Sequence, residues 1–243
     1  MGMKQKHNSQ FDHVLFLISQ GRNRTNLLKK QEQKAIAFLV QYIPSWVSPN
    51  MLTGIGFFGN VIVSLSFILG ARIDPRFLLL GVVGFAISWF GDSLDGRIAY
   101  YRNTPRKWYG FSLDLVVDWI GIVLVGLGFI IYAEGFSKIL GYGFIVLYGL
   151  EIILALLRYK ISGEYSIDAG KLSPTEARIF ISLFLVLEVI FHGTMTYMAG
   201  LANVVLAFSN FTEFKKLARI ADQRDEEEKK KKNVSKISDI QVN

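Results

Sequence analysis

Cysteine is missing from all 243 residues. That absence excludes disulfide bridges, thiolate metal sites and cysteine nucleophiles. Histidine is nearly missing as well. His7, His13 and His192 stand apart, with no partner that suggests a metal centre or a nucleophile dyad. No internal repeat is visible. A cleavable signal peptide is not expected, because the apolar stretch Val14 to Ile18 is too short and no small-residue cleavage pattern follows. The first long apolar span is then its own insertion signal. What the chain has instead is apolar length: 51% of it is hydrophobic and its mean hydropathy is +0.33. That is more apolar than an ordinary soluble domain. The net charge is +7. Basic residues that flank membrane spans and meet anionic lipid heads account for it, so nucleic acid is not an expected partner.

Six apolar segments have the length needed to cross ~30 Å of hydrocarbon at ~1.5 Å per residue. They are Leu52–Ala71, Phe77–Ala99, Phe111–Tyr132, Ser137–Tyr159, Thr175–Phe191 and Thr194–Phe214. Arginine and lysine alternate between the connecting loops. Arg97, Arg102, Arg106 and Lys107 follow span two, and Arg158, Lys160 and Lys171 follow span four. The opposite loops hold Arg72, Arg76 and Lys138. The positive-inside rule then puts both termini in the cytoplasm. The segment from Asn26 to Tyr42 mixes apolar residues with lysine and glutamine and ends before Pro44. It reads as an amphipathic interfacial helix that anchors to the membrane, with a lid over a cytoplasmic site as the functional alternative. The expected fold is therefore all-α and integral to the membrane: a six-transmembrane-helix bundle with an N-terminal amphipathic interfacial helix. Three regions are expected: 1–48 as a cytoplasmic N-terminal segment, 49–214 as the six-span domain, and 215–243 as a charged, disordered cytoplasmic tail.

Four aspartates interrupt this apolar pattern. Asp92 and Asp95 are three apart near the end of span two, and Asp114 and Asp118 are four apart near the start of span three. Each pair lies on one helical face. Asp92 sits ~22 Å along its span, and Asp114 and Asp118 sit ~5–10 Å into theirs, so both pairs reach similar depth on the cytoplasmic side. The short loop makes the two spans antiparallel neighbours. Carboxylates beside hydrocarbon are costly and face a cavity with a function. Their convergence calls for positive charge, and a divalent cation is the simplest source. Two such ions clamp a diphosphate for in-line displacement at phosphorus. Gly96 and Gly110 let a bulky ligand approach backbone, although small residues also suit membrane helix packing.

With these residues the chain resembles the CDP-alcohol phosphotransferases. The family signature is Asp-x2-Asp-Gly-x2-Ala-Arg, eight or nine residues, then Gly-x3-Asp-x3-Asp. Asp92, Asp95, Gly96, Ala99, Gly110, Asp114 and Asp118 fall in register with it, with nine residues between Tyr100 and Gly110. Pro49-Asn50-Met51-Leu52-Thr53 is similar to the family's approach to its first span, and Gly170 to Glu176 is similar to a segment of choline- and ethanolamine-phosphotransferases. The resemblance covers about Asn26 to Phe214. It implies two Mg2+ (or Mn2+) ions held by Asp92, Asp95, Asp114 and Asp118, with Asp118 also the general base. It implies a nucleotide site at Asn50, Thr53, Asp95, Gly96 and Gly110. One position departs: the arginine of the signature, which the resemblance places on the nucleotide diphosphate, is Tyr100 here. Tyrosine donates one hydrogen bond and no charge, and Arg102 or Arg97 is close enough in sequence to replace it.

The activity implied is attack by an acceptor hydroxyl on the β-phosphorus of a CDP-activated donor, with release of CMP, in phospholipid biosynthesis. The partners implied are CDP-diacylglycerol or a CDP-alcohol, an acceptor alcohol or diacylglycerol, membrane lipids and, as is frequent in the family, a second copy of the chain. Arg158, Lys171 and Arg178 lie on the same side as the aspartates and are candidates for holding an acceptor phosphate or headgroup, although positive-inside charge also accounts for them. Glu151 inside span four is either functional or a structural hydrogen-bonding acid. Two other readings stand beside this one: a magnesium-dependent membrane prenyltransferase, and a non-catalytic family member or transporter.

Overall fold

The computed structural model describes residues 14–18, 28–162 and 174–241, and among them every regular element is helical. Residues 14–18 are a short helical stretch, and the longer helices are α1 (Lys29–Val40), α2 (Pro49–Arg72), α3 (Leu79–Tyr101), α4 (Lys107–Tyr132), α5 (Lys138–Ser162), α6 (Pro174–Ile190) and α7 (Thr194–Gln241). Single 3-10 turns at Pro75–Leu78 and Gly135–Ser137 lead into α3 and α5. Local chemistry explains several boundaries. Ser48 Oγ accepts from Met51 N at 3.2 Å and Pro49 stands in the first turn of α2, a favoured start. Gly193 has φ +91 between α6 and α7, a left-handed conformation that glycine adopts without steric cost.

Four helical stretches are long and apolar enough to cross a membrane: Pro49–Arg72, Pro75–Tyr101, Lys107–Tyr132 and Gly135–Ser162. They coincide with the first four expected spans. α6 is shorter, at 17 residues, and the apolar part of α7 is diluted by Asn203 and Asn210. α7 runs on through the charged stretch after Phe214 to Gln241. No glycine or proline occurs from Leu201 to Gln241, so nothing in the backbone chemistry breaks that helix. Arg224 also donates to Lys160 O at 3.1 Å and to Ile161 O, tying the extension to the end of α5.

The tightest packing is between α2 and α3. A methyl group built on Gly59 would stand 2.8 Å from Ser88 Cα, one on Gly84 would stand 2.8 Å from Gly59 O, and one on Gly91 would stand 2.6 Å from Gly56 Cα. These glycines let the two backbones touch, as small residues do between membrane helices. The same α2 also receives α4, through Gly121 against Asn60 and Gly128 against Ser64. Gly149 of α5 packs on the Trp119 ring of α4. α7 is bound to α5 by amides: Asn203 Nδ2 donates to Leu140 O at 2.9 Å and Asn210 Nδ2 to Leu147 O at 2.8 Å.

Two apolar clusters bracket the bundle. One gathers Ile36, Ala37 and Val40 of α1 with Val47, Leu52, Leu94 and Ile98. The other gathers Val63, Phe67, Leu78, Phe85, Val125, Phe129 and Leu185. Along α2 and α3, the polar residues Asn60, Ser88 and Asp92 fall between the two sets of apolar positions. At the end away from the aspartates, the Glu188 carboxylate accepts from Tyr132 OH at 2.8 Å, Gly193 N at 3.0 Å, Thr194 Oγ1 at 3.0 Å and Met195 N at 2.6 Å. This one acid joins α4 to the α6–α7 turn.

Glu188→Ala is expected to leave those donors unsatisfied and to lower stability by about 1–3 kcal/mol, read as a fall in Tm of the detergent-solubilised protein. Gly91→Leu is expected to cost more than about 2 kcal/mol by forcing α2 and α3 apart. Gly200→Ala, whose new methyl meets nothing within 4 Å, is the matched control and is expected to stay within about 1 kcal/mol of the native chain.

Candidate metal centre

The α2–α3 contact continues directly into the acidic site. One turn beyond Ser88, α3 carries Asp92, and one turn further Asp95. α4 enters from the same end and carries Asp114 and Asp118. Asp92, Asp114 and Asp118 each offer a carboxylate oxygen, and these atoms lie within 4.8 Å of one another. All three are half-buried. An oxygen-only set at this spacing fits a hard divalent cation, which takes carboxylate ligands and readily shares them with phosphate. Asp95 is placed differently from the other three. It is buried, its Oδ2 accepts from Thr53 Oγ1 at 2.8 Å, and Gly96 N donates to its Oδ1. Thr53 also donates to Pro49 O at 3.2 Å, so the first turn of α2 is fastened to Asp95.

Arg178 brings positive charge from α6. Its Nη1 is 2.7 Å from Asp92 Oδ2, with the two side chains 15% and 23% exposed. Such a pair, largely screened from water, is costly to break from one side only. Arg178 stood among the expected acceptor contacts. The signal for its actual partner was available: α6 holds few charges, and an arginine within an apolar helix implies a nearby acid. Tyr148 of α5 was missed altogether. It interacts electrostatically with Asp118, Arg178, Glu151 and Asp92, and the contact of its neighbour Gly149 with Trp119 sets α5 at the level of Asp118. Nothing in the spacing of the sequence marks that tyrosine.

The remaining expected site residues are distributed as follows. Asn50 is exposed in the first turn of α2, where its Nδ2 donates to Tyr109 OH at 3.2 Å and its Oδ1 accepts from Arg106 Nη2 at 2.7 Å. Gly110 opens on free space, with nothing within 4 Å of a built methyl. Arg102 donates to three carbonyls, Val47 O at 2.6 Å, Pro44 O at 2.8 Å and Ile43 O at 3.3 Å, and so clamps the loop before α2. Arg97 is buried. Arg158 forms an ion pair with Glu213 of α7, and Glu151 feels both of these charges. Lys171, with the Gly170–Ser173 part of its segment, lies outside the described residues. Beside the acids, a cavity of about 470 Å³ opens between α1, α3 and α6, lined by Phe85, Ala86, Trp89, Arg178 and Ile179 among others. α1 borders it and is pinned there, with Thr175 Oγ1 donating to Glu32 Oε1 at 2.9 Å and Leu28 N to Glu176 Oε1 at 3.1 Å.

Four membrane-length apolar helices, with a half-buried cluster of aspartates between two of them, give the chain the character of a helical membrane protein. Comparison with curated proteins gives no match. The sequence profile of the CDP-alcohol phosphatidyltransferase family matches residues 46–210, more than half of the chain. The chain belongs to that family. Its members are typically transferases that use divalent metals, CDP-alcohols and alcohol acceptors.

Arg178→Gln is expected to remove the guanidinium paired with Asp92 and to lower stability by about 3 kcal/mol in the absence of divalent ions. Added Mg2+ is expected to raise the Tm of this variant more than that of the native protein, because the ion then supplies the missing charge. Thermal melts with and without EDTA check both halves.

Proposed function

We propose that the chain is a membrane phosphotransferase of phospholipid biosynthesis that transfers a substituted phosphate from a CDP-activated donor to an acceptor hydroxyl and releases CMP. The observation that carries this reading is the approach of Asp92, Asp114 and Asp118 to within 4.8 Å in a chain of this family. Asp92, Asp95, Asp114 and Asp118 would hold two Mg2+ or Mn2+ ions. Bound there, the ions supply charge neutralisation and alignment of the donor diphosphate. Asn50, Thr53, Asp95, Gly96 and Gly110 line the nucleotide side. Asp118 takes the proton of the acceptor hydroxyl; the acceptor oxygen bonds to the β-phosphorus; the bond from that phosphorus to the bridging oxygen breaks, and CMP departs with the electron pair.

The apolar walls of the cavity beside Arg178 suit the hydrocarbon of a lipid substrate. Residues 49–214 form the catalytic domain in this reading. α6 and α7 cross the membrane with the four longer apolar helices, α1 lies at the interface, and the acids open to the cytoplasm. The basic loops on the aspartate side support that orientation.

Purified protein with Mg2+ is expected to release CMP when offered CDP-diacylglycerol or a CDP-alcohol with a suitable acceptor, with the lipid product identified by mass. Asp118→Asn is expected to lower the rate by at least about a hundredfold. CMP release that survives this substitution contradicts the assigned base. Transfer from a prenyl diphosphate that ignores cytidine nucleotides would favour the prenyltransferase reading instead.

A further inference from the structure

The arginines of α3, α6 and the loop between α3 and α4 differ in what they already hold. Arg178 is paired with Asp92. Arg102 donates to three backbone carbonyls. Arg97 is 3% exposed on α3. Tyr100, in the register where the family signature carries arginine, has no charge to offer. Arg106 is unlike all of these. It is exposed, directly before α4, and its Nη2 donates to the neutral amide oxygen of Asn50 at 2.7 Å. Its guanidinium carbon stands 4.3 Å from the centre of the Tyr109 ring. Tyr109 OH in turn accepts from Asn50 Nδ2 at 3.2 Å. Guanidinium, amide and phenol thus form a closed set of three contacts. The set positions the cation and leaves its Nε and Nη1 donors without partners among the described residues.

Asn50 lies in the first turn of α2, three residues before Thr53, which touches Asp95. The fork of Arg106 is therefore anchored ~4.5 Å along the helix axis from Thr53, whose hydroxyl meets Asp95. A guanidinium presents two parallel donors to a phosphate, and stacking on an aromatic face limits the freedom lost when it does so. We propose that Arg106, oriented by Asn50 and Tyr109, receives the anionic diphosphate of the nucleotide donor and supplies the charge that Tyr100 lacks. This assignment rests on the phosphotransferase reading above. It also gives Asn50 a specific duty, which is to aim a cation rather than to contact the nucleotide alone.

The test uses the full chain in detergent with Mg2+ and CDP as the probe, by calorimetry. Arg106→Gln is expected to weaken CDP binding about ten- to hundredfold, the effect of losing a charge-assisted phosphate contact. Arg106→Lys restores the charge without the fork and is expected to recover part of the loss. In a CMP-release assay the donor KM rises for Arg106→Gln while the acceptor KM stays as in the native chain, and CDP affinity becomes less sensitive to salt. If both variants bind CDP as the native protein does, the proposal is overturned and the phosphotransferase reading stands. If the native protein itself binds no CDP, the phosphotransferase reading falls and takes this assignment with it.

Discussion

Backbone-to-backbone contact between α2 and α3 sets the distances at the site. Gly56, Gly59, Gly84 and Gly91 let the backbones of the two helices meet directly where they cross. Along this contact the Thr53 hydroxyl is 2.8 Å from the Asp95 carboxylate. The same approach leaves room on the other face of α2 for Gly121 and Gly128 of α4. α4 can then bring Asp114 and Asp118 beside Asp92. In a membrane no hydrophobic force drives helices together, so the contact depends on packing and on the polar groups it satisfies. Ser88 Oγ, which donates to Asn60 Oδ1 at 2.9 Å, is one such group just before the acids.

Charge is the second constraint, and it opposes the first. Close packing forces like charges together, and the low dielectric of the surroundings amplifies their repulsion. Arg178 answers part of it from α6, through Asp92. The acids of this pocket are thus divided between tasks. Asp92 meets a cation of the protein, Asp95 is fastened to α2, and Asp114 and Asp118 complete the oxygen set from α4. The excess of negative charge that remains is of the kind a hard cation neutralises. Elsewhere the protein satisfies its buried acids internally. Glu188 takes four donors at the far end of the bundle, and Glu32 and Glu176 join α1 to α6. Those acids serve architecture.

Much of this was legible in the chain itself. Runs of apolar residues place α2 to α6 within a few residues of their observed bounds, because hydrocarbon thickness and helical rise dictate span length. The aspartate spacing places Asp92, Asp114 and Asp118 on facing helices, since a period of 3.6 residues and a short loop leave little alternative. Other features lay out of reach. Arg102 sits in a basic loop beside the signature, yet it clamps carbonyls of the loop before α2. Arg158 looks like its basic neighbours, yet it pairs with Glu213, which is 55 residues away. The charged stretch after Phe214 has the composition of a solvated segment, and it is the helical end of α7.

By itself, then, the amino-acid order determined the periodic and local properties: which segments are helical and apolar, which acids share a face, and which family signature they form. These depend on neighbours within a turn or two, and that information is linear. Tertiary structure alone decided the partners. It assigned Arg178 to Asp92, Thr53 to Asp95, Arg106 to Asn50 and Tyr148 to the acid cluster. Each of these contacts is set by how helices distant in sequence cross and rotate, and a guanidinium or hydroxyl at the end of a side chain responds to a small change in that geometry by finding a different acceptor.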